Sequence, residues 1–154
     1  MEVSFIPFSG LTLRAVFGTN NTNYDEFKDS GGPGVDYDGN KLEYSPEKNN
    51  SLFLYYQFAI GKLGRLKFHY DKSNKLGFFT NNNNNKDTNW IDAYSIANLG
   101  LGLQAASGKW SINYIINNMD DTRYLVNANE SFLRYPRVHR GMPKTSKISL
   151  VFHL

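Results

Sequence analysis

The chain has 154 residues, a net charge of +3 and a 15% aromatic share that includes ten Tyr and eleven Phe. That length supports one domain with a real core, and the aromatic excess favours strands over helices. The absence of cysteine excludes disulfides and thiolate chemistry, the scattered basic residues give no argument for nucleic acid, and no apolar run approaches the ~20 residues of a spanning helix.

Seven segments alternate apolar and polar residues with the period of a half-buried strand. Residues 2–7 set Val3 and Phe5 on one face, and residues 11–19 set Leu11, Leu13, Ala15 and Phe17 against Thr12, Arg14 and Val16, with a continuation toward Phe27. Residues 50–60 carry Leu52, Leu54, Tyr56 and Phe58 on one side, and residues 64–80 carry Leu66, Phe68 and Tyr70. Residues 94–106 place Leu99, Leu101 and Leu103 over Asn98, Gly100 and Gly102. Residues 109–118 place Trp110, Ile112 and Ile116 over Asn113 and Asn117. The last segment, about 144–154, runs its alternation through Ile148, Leu150, Phe152 and Leu154 to the final residue. No stretch has helical periodicity. The expected fold is all-β, an antiparallel up-and-down meander of about seven long strands, with residues 1–154 forming one domain.

The connections between these segments are sorted by length. Phe8-Ser-Gly10, Gly61-Lys-Leu-Gly64 and Ser107-Gly108 are tight, while 28–48, 81–92 and 119–143 are long and polar. Gly10, Gly64 and Gly108 supply the positive-φ positions that tight hairpins require. In a meander, alternate connections fall at opposite ends of the sheet, so one end carries only turns and the other only long loops. Outer-membrane barrels sort their loops this way. About ten residues at ~3.3 Å each, tilted by ~45°, also match the ~25 Å apolar band of such a barrel. Alternation alone also fits a soluble, lipocalin-like barrel that binds an apolar ligand. Seven is an odd number, and bacterial single-chain barrels use even numbers of antiparallel strands, so further strands are expected.

Several motifs carry a resemblance. Asn118-Met-Asp-Asp-Thr-Arg-Tyr124, directly after the Trp110 strand, resembles the Asn-Leu-Phe-Asp-x-x-Tyr signature of TonB-dependent outer-membrane receptors. Gly141-Met-Pro-Lys-Thr145 then precedes the last strand, as Gly-x-Pro-Arg-Thr does in that family. Tyr94-Ser-Ile-Ala-Asn-Leu-Gly-Leu-Gly102, Pro7-Phe-Ser-Gly-Leu-Thr-Leu13 and Tyr37-Asp-Gly-Asn-Lys-Leu42 with Ser45-Pro-Glu47 are similar to stretches earlier in its barrel. The resemblance covers nearly the whole chain in the right order. Asp120, Lys144 and Leu154 depart from the usual Phe, Arg and terminal aromatic.

The resemblance implies a C-terminal segment of a transmembrane β-barrel in the outer membrane of a Gram-negative bacterium. The plug domain, the TonB box and the earlier strands of a barrel of about twenty-two would lie outside this chain, and TonB would act only through that plug region. The implied function is uptake of a scarce ligand such as a ferric siderophore, cobalamin or a glycan. Asn118, Asp121, Tyr124, Pro143 and Phe152 are the matched signature positions. Leu11, Leu13, Phe17, Leu52, Leu54, Phe58, Leu66, Phe68, Leu99, Leu101, Leu103, Ile112, Ile116, Ile148, Leu150 and Phe152 would face lipid, and strand charges avoid that set within the predicted band. Arg14, Gln57, Arg65, Lys67, Asn113 and Asn117 would face the lumen, and Trp110 would join the aromatic girdle beside the turns. A complete small outer-membrane barrel with a structural or adhesin role is a further alternative.

No enzyme constellation can be assembled. His69, His139 and His153 lie on separate elements without metal-ligand spacing, and Asp36-Tyr-Asp-Gly-Asn40 lacks the later bidentate Glu of a calcium loop. Neither a cofactor nor a metal site is expected. Asp120 and Asp121 read as strand-end carboxylates that satisfy backbone N–H groups, and Asn81 to Asn85 as a solvated loop tip. Arg134, Arg137, His139 and Arg140, with Lys144 beside them, form a basic cluster available to an anionic ligand or to lipopolysaccharide, apart from the membrane lipid around the barrel.

Overall fold

The computed structural model describes residues 1–28, 32–130 and 137–152. Its principal element is one seven-stranded antiparallel sheet. In chain order its strands are β1 (Glu2–Phe5), β2 (Leu11–Thr19), β3 (Lys48–Ala59), β4 (Gly64–Lys75), β7 (Tyr94–Ala105), β8 (Trp110–Asn117) and β11 (Thr145–Phe152). Each is hydrogen-bonded to the next, and β1 and β11 are the two edges. Four shorter strands lie within the connections: β5 (Phe78–Phe79) pairs with β6 (Trp90–Ile91), and β9 (Leu125–Asn129) with β10 (Arg137–Arg140).

The tight hairpins sit where the glycines put them. Gly10 and Gly64 have φ of +91° and +133°, and a Cβ at either would strike a carbonyl oxygen of the next strand over, Gln57 of β3 or Gln104 of β7. Only glycine fits both the dihedral and the approach. The three long connections, residues 20–47, 76–93 and 118–144, all emerge at the opposite end.

Register sorts the side chains into two faces. One row runs Leu13, Leu54, Tyr70, Leu99 and Ile116; the next runs Leu11, Tyr56, Phe68, Leu101, Tyr114 and Ile148. A third runs Phe58, Leu66, Leu103, Ile112 and Leu150, and Trp110 pairs with Phe152 at the turn end. The other face carries Arg14, Asp71 and Asn98 in one row and Gln57, Lys67, Gly102, Asn113 and Ser149 in another. Leu52, Leu101 and Ile148 remain 54%, 45% and 69% exposed. The apolar face is thus left uncovered by the described residues, and the buried apolar cluster of Phe78, Ile91 and Ala128 lies among the long connections instead.

Four features differ from or add to the sequence expectation. β2 stops at Thr19 rather than running toward Phe27; within the first loop Tyr24 stacks on Phe27, which meets Tyr37 at a tilt. The expected strand 64–80 breaks after Lys75 and resumes as β5, with Gly77 pressed against the Trp90 ring where a Cβ would not fit. A single helical turn, α1 (Lys86–Asn89), occupies a stretch expected to be loop; Asn85 caps it by accepting from the Asp87 N–H. Lys72, finally, shares the outward row of Leu52 and Ala97, and Lys48 lies on the same face beyond Asn50, so two strand charges join the outward face. Lys72 stands at the loop-side margin. From Gly64 to Lys72, β4 advances about 26 Å, or roughly 19 Å along the normal at ~45° tilt.

Candidate functional site

The long connections form one joined structure over the loop end of the sheet. Its floor is the Phe78, Ile91 and Ala128 cluster, against which Tyr94 and Leu125 pack. Backbone and side chains then stitch the three loops together. The Tyr44 N–H donates to the Phe79 carbonyl at 2.8 Å, the Tyr44 hydroxyl bonds the Asn127 amide, and the Thr80 hydroxyl donates to the Ala128 carbonyl. The Glu130 N–H donates to Asn89 Oδ1 at 3.0 Å, and Asn89 is itself fully buried.

The asparagine run is the centre of this stitching and is not the solvated tip that its composition suggests. Its odd members fold the run by successive Asx turns. Asn81 Oδ1 accepts from the Asn83 N–H, Asn83 Oδ1 from the Asn85 N–H, and Asn85 Oδ1 from the Asp87 N–H. The even members reach the first loop. Asn84 accepts from the Lys41 N–H at 2.6 Å and donates back to the Lys41 carbonyl at 3.0 Å, while Asn40 donates to the Asn82 carbonyl. Asn84 adopts a φ of +49°, a left-handed conformation that asparagine tolerates. Asn83 adds the third loop, donating to Glu130 Oε2 at 3.3 Å.

Four of the five matched signature residues lie together where β8 gives way to the third loop. Asn118, 3% exposed with φ of +49°, donates its N–H to the Asn98 side-chain Oδ1 of β7. Its Nδ2 donates to the Thr122 and Met142 carbonyls, and its Oδ1 accepts from the Thr122 N–H. Asp121 accepts from the Lys144 N–H at 3.0 Å and pairs with Arg123 at 2.9 Å. Those contacts hold its carboxyl below the ordinary value of 3.8, chiefly through the Lys144 N–H. Tyr124 stacks on Tyr94 with ring centroids 4.6 Å apart and covers Gly141, where a side chain would collide with the ring. Pro143 lies between the two bonded residues Met142 and Lys144. Phe152 stands apart at the far end of β11, opposite Trp110.

The basic cluster is partly placed. Arg137, His139 and Arg140 are exposed on β10, opposite Asn129, Asn127 and Leu125, with a bulge between His139 and Arg140. Arg134 lies outside the described residues, as does His153. Among the described residues no group of three His, Asp or Glu is arranged for a metal ion. In the first loop the Asp36 carboxylate accepts from the Asp38 N–H, and Asp38 accepts from the Phe27 N–H and pairs with Lys28 at 3.1 Å. Sequence reading missed the Asn40, Asn83, Asn84 and Asn89 junction. The uniform run of Asn81 to Asn85 gives no local signal for it, since any of the five could close an Asx turn.

No protein-family model matches the sequence, and neither does any curated protein. Solved structures do match. The ferric yersiniabactin uptake receptor FyuA from Yersinia pestis superposes with a TM-score of 0.80 at 16% identity, over 97% of this chain and 22% of the receptor. The ferripyoverdine receptor of the outer membrane of Pseudomonas aeruginosa, solved with ferripyoverdine bound, superposes with a TM-score of 0.61 at 20% identity, over 97% of this chain and 18% of the receptor. The chain therefore spans about a fifth of the length of either protein. The antiparallel seven-stranded sheet has the fold of a barrel segment of such receptors.

Proposed function

We propose that the chain is the C-terminal barrel segment of a TonB-dependent outer-membrane receptor that imports a scarce ligand. The observation that carries this reading is the uncovered apolar face, continuous from the Trp110 and Phe152 pair to Leu52 and backed by polar rows. In water such a face is an aggregation surface; in a bilayer it is the wall of a barrel. The sorting of turns and loops to opposite ends agrees, and so does the sequence resemblance, which points to the same class of protein as the structural matches. The signature residues would act as a clamp, with Asn118, Asp121 and Tyr124 fixing the 141–145 segment so that β11 enters the sheet in register. The joined loops would form part of the ligand-side surface, and Arg137, His139 and Arg140 its basic rim. Both structural matches are receptors for iron chelates, which favours a ferric siderophore over cobalamin or a glycan. The linear sheet, with β1 and β11 as separate edges, weighs against a closed lipocalin-like barrel.

Transport would require the whole receptor, with an in-frame plug and TonB box encoded ahead of Met1. Disruption of the gene is expected to abolish growth on one scarce iron chelate while growth on abundant iron persists. Unchanged growth on limiting iron chelates, cobalamin and glycans contradicts an import role.

A further inference from the structure

The first loop closes at its base on three side chains that import of a solute does not use. Lys41 Nζ donates to the Asn21 side-chain oxygen, Oδ1, at 3.1 Å and pairs with Glu47 Oε1 at 3.0 Å. An amine, an amide carbonyl and a carboxylate thus meet at one point. The backbone holds them there. Asn23 forms a β-bridge with Lys41, the Leu42 N–H donates to the Thr22 carbonyl at 3.3 Å, and the Asn20 N–H donates to the Glu47 carbonyl at 2.9 Å. Asn84 of the second loop binds both the N–H and the carbonyl of Lys41. The residue that carries the amine is therefore pinned on both sides.

These are the parts of an amide exchange: a nucleophile, a base within hydrogen-bond reach of it, and an acyl group in contact. Holding the amine against the carbonyl replaces a bimolecular encounter with a local one. The Lys41 and Glu47 side chains are 34% and 54% exposed, so the ion pair is partly solvated and the exchange draws on the small share in which the proton has passed to the carboxylate. That makes it slow. Lys28 and Asp38 form a second lysine–carboxylate pair in the same loop at 3.1 Å, but among the described residues no side-chain amide faces it.

We propose that Lys41 and Asn21 become joined by an intramolecular isopeptide bond, with Glu47 as proton carrier. Glu47 takes one proton from the Lys41 ammonium, which frees the Nζ lone pair to attack Asn21 Cγ. Glu47 gives that proton to Asn21 Nδ2, and the Cγ–Nδ2 bond breaks to release ammonia. The second proton shed by Nζ ends on the ammonia as ammonium, and Glu47 is a carboxylate again. One amide replaces another, with no oxidant or reductant. The chain has no cysteine, and this bond closes the span of 20 residues between Asn21 and Lys41 as a disulfide would, restricting the open loop. Through Asn84 it also anchors the loop junction. The inference depends on neither the bilayer nor the imported ligand.

The test is the intact mass of the full folded chain after incubation at mildly alkaline pH. The mass is expected to fall below that of the sequence by one ammonia. A tryptic digest should then contain a branched peptide joining Asn21 to Lys41, with cleavage after Lys41 lost. Lys41→Arg keeps the charge and the donors but offers no nucleophilic amine, and should abolish the bond. Glu47→Gln should slow its formation about a hundredfold, and Lys28→Gln should leave it unchanged. Hydrogen-exchange protection of the Leu42 amide, bonded to Thr22, checks that each variant keeps the loop base. A folded chain that retains its full sequence mass overturns the proposal. So does loss of ammonia that persists in Lys41→Arg, which marks a succinimide at Asn21, or conversion of Asn21 to aspartate without a branched peptide. Equal rates in Glu47→Gln and the native chain overturn the role of Glu47.

Discussion

The sheet and the joined loops of this protein are held by opposite means. The sheet is long, regular and bonded strand to strand, yet many of its apolar side chains are exposed and no second layer among the described residues covers them. The loops are irregular in backbone, yet they contain the buried cluster of Phe78, Ile91 and Ala128 and a dense set of side-chain hydrogen bonds. A soluble domain places its apolar core between strands and leaves its loops wet. Here the order is reversed. On the proposed reading the sheet is completed by a solvent other than water, while the loops, which would meet water, must hold themselves together.

That contrast can be broken at several points. The largest effect is expected inside the loops, where Ile91 is fully buried. Ile91→Ala should cost about 2–5 kcal/mol, read as lost hydrogen-exchange protection of the Thr80 and Asn89 amides. Leu101→Ala, on the exposed face, should leave those amides unchanged. On the sheet the corresponding disruption is a charge. Leu101→Arg should cost about 2–4 kcal/mol in a bilayer if the site lies near its midplane, measured by denaturant titration in vesicles, and Asn113→Arg on the polar face much less. Next comes the junction. Asn118→Ala removes three hydrogen bonds at a nearly buried, positive-φ position, so a loss of about 1–3 kcal/mol is expected from the unpaired groups alone. Asn118→Gly should be milder than Ala in backbone strain and equal in lost bonds.

The smallest effect is one of pH. Asp121 is held below its ordinary 3.8 by the Lys144 N–H, so its contribution is present above that value and fades as pH falls through the lowered folded pKa. Protection of the Lys144 amide, relative to its intrinsic exchange rate at each pH, should fall as pH drops below 3.8 in the native protein and lose this dependence in Asp121→Asn. An unaltered profile in that variant would show that another group is responsible.

The strands were legible because period-two alternation survives any change of context: the faces follow from Leu99, Leu101 and Leu103 opposite Asn98, Gly100 and Gly102 without knowledge of their neighbours. Turn positions were legible for a related reason, since Gly10 and Gly64 satisfy a local dihedral requirement. The loop interior was not. Asn84 binds Lys41 across a long sequence separation, and nothing local distinguishes an asparagine that caps its own turn from one that grips another loop. Composition suggested solvent for a run that is a junction. The place of Lys72 was not legible for a different reason. Its place on the outward face follows from alternation, but its height at the loop-side margin depends on pairing with Leu52 and Ala97, which only the register supplies.

The most direct measurement is the lipid exposure of the two sheet faces. The chain has no cysteine, so single cysteines at Leu54, Leu101 and Ile112, and at Gln57, Lys67 and Asn113, can each carry a fluorophore in vesicles containing brominated lipid. The account predicts strong quenching at the first three positions and little at the second three. Equal quenching of both sets, or quenching of Gln57, Lys67 and Asn113 alone, would contradict it.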